Sequence, residues 1–148
     1  AKRLGISFTT KLKPDPIVQN TLTGKISKNQ PYIFDICHLG QMAEIKGVGI
    51  EFAFEVSSLI FGGVENWNSD ENLSNAAKKV GLDLMQLRES VTVHEDKIIE
   101  QIKQNQVDQL NAGHHGVPLT VIGDKYFFGQ DQFEKIMEVL KENGLKER

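Results

Sequence analysis

The apolar period of this chain switches at Gly113, and that switch limits the folds open to it. Between residues 31 and 113 the apolar side chains recur every three to four positions, and from Gly113 to residue 128 the period is two, before a helical spacing returns at Phe133. Ile33, Phe34, Ile36, Cys37, Leu39, Met42, Ala43 and Ile45 form a first helical stripe, with Pro31 suited to its opening turn. Phe52, Phe54, Val56, Leu59, Ile60 and Phe61 form a second, which Gly62-Gly63 ends. Asn68 or Ser69 can cap a third helix, with Leu73, Ala76, Ala77 and Val80 inward and Gly81 as its left-handed end. Thr92-Val93-His94-Glu95 reads as a capping box for a helix that turns Ile98, Ile99, Ile102, Val107 and Leu110 inward. Beyond Gly113, residues 117–122 read as a buried strand, Gly123-Asp124 as a hairpin turn and residues 125–128 as its partner. A final helix carries Phe133, Ile136, Met137 and Leu140 and stops at Asn143-Gly144. Near the start, residues 6–12 alternate well enough to predict a strand that Pro14 and Pro16 stop, and residues 20–30 read as a loop around Gly24. The expected order is strand, four or five helices, hairpin, helix: an α/β chain with a large helical insertion.

Composition excludes several functions. The 148 residues carry 17 Lys+Arg against 20 Asp+Glu, a net charge of −3 with no basic cluster, which argues against a nucleic-acid surface. No apolar run reaches the roughly eighteen residues of a membrane span. A lone Cys37 excludes an intramolecular disulfide framework and a zinc ribbon. No His, Asp and Glu residues have metal-ligand spacing, so no metal is expected. Residues 1–12 lack the apolar centre of a signal peptide, and the cysteine usage points to the cytoplasm.

The residues able to carry chemistry are few. Cys37-His38 invites a nucleophile–base reading, but neighbours on a helix diverge by about 100°, so Cys37 is expected to be a buried, inert thiol. His94 is expected to be exposed. His114 and His115 are adjacent in an extended stretch, so their side chains point apart, and one is expected to face a site. Pro118 stands where a strand begins, a position that tolerates proline and suits a cis bond. Asp131 opens the last helix, where the dipole favours an anion, whether for stability or to meet a ligand. Trp67 follows Gly62-Gly63 in a loop, either packed or lining a cleft.

The segment Gly116-Val117-Pro118, the short hairpin after it and Phe128-Gly129-Gln130-Asp131 resemble the C-terminal part of the DsbA-like branch of the thioredoxin superfamily. Ile60-Phe61-Gly62-Gly63 with Trp67, then Leu73, Ala76, Ala77 and Gly81-Leu82-Asp83-Leu84, is similar to the helical insertion of the 2-hydroxychromene-2-carboxylate isomerase and kappa-class glutathione transferase group. The resemblance covers most of residues 31–142. It implies a thioredoxin-like core formed by residues 1–13 and 113–148, interrupted by a helical subdomain at 31–112, with Val117–Pro118 cis. It also implies that residues 1–5 end the first helix of such a fold. Its first strand, the start of that helix and the reactive Cys-x-x-Cys or Ser would then precede Ala1, leaving the catalytic residue unknown. By the same resemblance, Val117 offers its main chain to a glutathione or peptide thiol, with Pro118, Gln130, Asp131, His115 and Trp67 around the ligand. The expected activity is glutathione-linked isomerase or transferase chemistry, with glutathione as cofactor or cosubstrate, a small-molecule or thiol substrate, and a homodimer as the assembly it allows. The alternatives are a DsbA-like thiol–disulfide oxidoreductase and a non-catalytic thioredoxin-fold binding module.

Overall fold

A computed structural model describes residues 7–146. Its elements, in chain order, are α1 (Pro31–Ile45), α2 (Gly49–Gly62), α3 (Asp70–Lys79), α4 (Leu84–Val93), α5 (Glu95–Asn111), β1 (Leu119–Ile122), β2 (Lys125–Phe128), a 3-10 turn (Gln130–Gln132) and α6 (Phe133–Glu142). The chain divides into two compact units, Ala1–Ile99 and Glu100–Arg148. The expected boundary at residue 113 falls inside the second, because α5 runs on without a break from the first unit to Asn111.

In the first unit α1 packs on α2 and α4, and α3 packs on α2 and α4, so each of the four helices has two neighbours. Between them Leu39, Met42, Phe52, Val56, Ile60, Leu73, Leu84 and Leu87 are buried, with Ala43, Ala76 and Ala77 where helices approach closely. Their ends follow local chemistry. Ser69 Oγ accepts from Asn72 N–H at 3.3 Å to cap α3, whose Asp70 and Glu71 at the start and Lys78 and Lys79 at the end complement the helix dipole. Asp83 Oδ1 caps α4 at 2.9 Å. Buried Gln30 closes the preceding loop, accepting from Val18 N–H and donating to the carbonyls of Val18 and Ser27. Arg88 of α4 makes a bidentate pair with Asp35 of α1 at 2.6 and 3.1 Å and reaches Asp70 at 3.3 Å; the Asp35 hydrogen bond holds its guanidinium pKa above the usual value.

Three expectations change here. Residues 7–12 form no strand: Thr9 N–H donates to the Phe61 carbonyl at 2.7 Å, Ser7 Oγ to Gly62, and the Lys13 carbonyl accepts from Asn66 N–H, so the end of α2 and the loop after it take up this backbone instead of a ladder. The helical end expected at residues 1–5 lies outside the described residues. Thr92 caps nothing; it sits in the last turn of α4, where its hydroxyl donates to the Arg88 carbonyl at 3.1 Å. Of the inward set expected on α5, Ile98 is buried, whereas Val107 and Leu110 are exposed.

The second unit holds the rest of α5, the antiparallel hairpin and α6, which packs on β1. The pairs Leu119–Phe128, Thr120–Phe127, Val121–Tyr126 and Ile122–Lys125 set the register, and Gly123 takes the left-handed position of the turn at φ 61°. Val139 is its one buried side chain among the described residues. Among the described residues no helix is long and apolar enough to cross a membrane.

Candidate functional site

The site is built around the loop between α5 and β1. Gly113 ends α5 with φ 96°, and a side chain there would press on the Tyr126 ring. His114 follows and lays its imidazole on the Phe128 ring of β2, centroids 3.9 Å apart; the His115 ring stacks on His114 at 5.3 Å, so the two side chains lie together instead of pointing apart as expected of an extended stretch, because the chain bends at Gly116. Gly116 passes so close that a Cβ would lie 2.5 Å from Phe128 Cε2 and 2.7 Å from His114 Cε1, which only glycine tolerates. Both main-chain polar groups of Gly116 are held by side chains: its N–H donates to His114 Nδ1 at 2.8 Å, and its carbonyl accepts from Gln109 Nε2 of α5 at 3.2 Å. The Val117–Pro118 bond is cis, as is Lys13–Pro14, which the sequence did not signal. Pro118 starts the hairpin, its carbonyl accepting from Gly129 N–H at 3.0 Å.

Val117 stands between these anchored neighbours. It is 78% exposed, and its N–H and C=O have no partner among the described residues. An N–H and a C=O left open on one residue can take a strand-like ligand. Beside it runs an open groove of about 450 Å³, with Val117, Leu119, Val121 and Ala112 as apolar lining and Asn105, Asp108 and Gln109 as the polar side.

Gln130 and Asp131 lie in the 3-10 turn before α6, both exposed. The Asp131 carboxylate accepts from Gln132 Nε2 at 2.9 Å and caps neither the turn nor α6, neither of which has a side-chain cap. The pure capping role is therefore not what holds this residue. His115 is exposed, while His114 is the histidine tied into the loop. Trp67 is separate: it is fully buried in the first unit, donates from Nε1 to the Pro14 carbonyl at 2.7 Å and meets Tyr32 edge to face. It offers no surface to a ligand, which corrects the cleft-lining alternative and leaves packing.

Cys37 is also corrected. It is exposed on α1, because that helix is apolar on more than one side and buries Leu39, Met42 and Ala43 instead. Desolvation by its neighbours still pushes its thiol pKa up, so the thiolate is disfavoured. Among the described residues no three His, Cys, Asp or Glu side chains gather as a cation site. The clamp by Gln109 and His114 went unread in the sequence; the signal for it is a histidine two residues before the glycine of Gly-Val-Pro, the spacing of a side-chain turn onto the backbone.

A search of curated proteins finds none that matches this chain. The family model of the DSBA-like thioredoxin domain matches residues 36–141, well over half of the sequence, across the helices, the Val117–Pro118 loop, the hairpin and most of α6. The chain belongs to the DsbA-like thioredoxin domain family, with a mixed α/β, thioredoxin-like fold.

Proposed function

We propose that this chain binds glutathione at the Val117 loop and serves thiol chemistry of the isomerase and kappa-transferase kind. The observation that carries the reading is the main chain of Val117, exposed and unpartnered between two anchored neighbours. One N–H and one C=O on the same residue hold a peptide-like ligand in extended register with two hydrogen bonds, the arrangement of an added strand. Asp131, exposed and held only by Gln132, matches the ammonium of a γ-glutamyl group, with Gln130 beside it as neutral donor and acceptor. Glutathione would bring the thiol. Pro118 fixes the start of β1 through its carbonyl, so the binding backbone is continuous with the hairpin. His115 lies exposed within the same segment.

Family membership supports thiol or redox chemistry in general, and a peptide thiol would use the same Val117 backbone as glutathione does. Titration of reduced glutathione into the isotope-labelled chain separates them. The amide signals of Val117, Gln130 and Asp131 are expected to move together on one saturation curve. A chain whose Val117 signal responds to a cysteine-containing peptide but not to glutathione would assign the loop to protein substrates. No response of Val117 to either ligand would overturn the binding role.

A further inference from the structure

The geometry points to His114 as a positioning residue, whose unprotonated Nδ1 joins Gln109 in clamping Gly116 so that Val117 keeps its backbone free for a thiol ligand, and whose protonation opens one arm of that clamp. This inference rests on the glutathione reading of the Val117 loop and adds to it a residue that touches no ligand.

Gly116 has no side chain and no ladder to hold it, and the position admits no Cβ. Its orientation is fixed from two sides, by His114 Nδ1 on its N–H and Gln109 Nε2 on its carbonyl. With both ends of Gly116 taken, the next residue is turned out with neither polar group used. The His114 ring is itself held by stacking on Phe128, so the acceptor is carried by the hairpin it serves.

Nδ1 accepts a hydrogen bond only while it carries no proton; in the imidazolium both nitrogens donate. A proton on His114 thus sets one N–H against another and removes the hold on Gly116. The groups packed against the ring are Gly116 and His115 from its own loop and Phe128 from β2. His115 is the titratable group among them, and among the described residues no carboxylate pairs with His114. The device therefore needs no partner beyond the His114 ring and the Gly116 N–H.

Nuclear magnetic resonance across a pH series, with and without reduced glutathione, tests this on the chain itself. The Gly116 amide signal should shift with the same midpoint as the His114 ring signals, and the midpoint should survive His115→Ala. Below it the glutathione dissociation constant should rise by about 3- to 10-fold, the worth of one hydrogen bond. His114→Phe retains the stacking without the acceptor and should bind weakly by that factor at every pH. His114→Asn restores an acceptor to the amide two residues on and should recover affinity with a flat pH profile. A Gly116 signal that ignores His114, or wild-type affinity and pH profile in His114→Phe, would overturn the assignment. If glutathione moves no amide of the wild-type chain, the ligand reading fails by itself, while the shared titration of His114 and Gly116 still decides the clamp.

Discussion

The two units hold themselves together by different means. The first encloses Leu39, Met42, Phe52, Leu73, Leu87, Ile98 and Trp67 between helices, and its polar links include helix caps and the ion pairs Arg88–Asp35, Lys79–Glu55 and Lys13–Glu65. The second buries Val139 alone among its described residues and exposes Val117, Val121, Tyr126, Phe128 and Phe133. What orders its loop is hydrogen bonding and ring stacking around Gly116 rather than enclosure. A two-stranded hairpin is marginal without packing on one face, and here α6 supplies that contact to β1. The difference shows a division of labour within one family fold: apolar volume sits in the helical unit, and unpaired backbone sits where a ligand can reach it.

Core truncation is the strongest way to break that contrast. Phe52→Ala should cost about 3–5 kcal/mol of unfolding free energy, the range for a fully enclosed aromatic, whereas Val139→Ala should cost about 1 kcal/mol. Urea melts followed by the fluorescence of Trp67, the chain's single tryptophan and itself in the first core, measure both; equal losses would dissolve the distinction.

The next effect falls on binding rather than folding. Asp131→Asn should weaken glutathione binding by about 1–3 kcal/mol, the value of a hydrogen bond to a charged group. Stability should change by less than about 0.5 kcal/mol, since the carboxylate is exposed and caps no helix. Calorimetric titration beside a thermal melt separates the two, and unchanged affinity would remove Asp131 from the site.

Arg88→Met probes the polar links of the first unit. Its side chain is 38% exposed, so solvent screens the pair with Asp35 and the loss should be about 1 kcal/mol. A loss several times larger would mean that the helical unit depends on this ion pair as much as on its core.

The smallest effect concerns reactivity. Desolvation holds the Cys37 thiol above the usual cysteine range, so its alkylation rate by iodoacetamide should climb with pH and level off at a higher pH than that of a free cysteine peptide measured alongside. A plateau reached at a lower pH than the peptide's would make Cys37 an activated thiol in a unit otherwise devoted to packing.

Helices α1 to α3, α5, the hairpin and the final helix were legible because each rests on information within a few residues: the apolar period, Ser69 before α3, Gly123 in the turn, Asn143-Gly144 after α6; α4, between Gly81 and His94, was not read from the sequence. Gly-Val-Pro and Gly-Gln-Asp likewise marked the loop and the turn by their residues alone. Which side of a helix is buried was not settled locally wherever apolar residues surround it. On α1 Cys37 and Phe34 face outward while Leu39 and Met42 are enclosed, and on α5 Val107 and Leu110 stay exposed. Neighbouring elements made those choices. The same holds for residues 7–12, whose alternation suits a strand but whose Thr9 N–H goes to the Phe61 carbonyl and whose Ser7 hydroxyl goes to the Gly62 carbonyl. Thr92, with a capping sequence around it, bonds back to Arg88 because α4 already occupies its position. Sequence by itself determined the succession of α1 to α3, α5, hairpin and α6 and the identity of the exposed loop, through short-range backbone and period effects. The tertiary structure decided that Trp67 is core, bonded to the Pro14 carbonyl 53 residues away, and that residues 7–12 follow the end of α2 instead of a ladder, because each of these depends on groups brought together from distant positions in the chain.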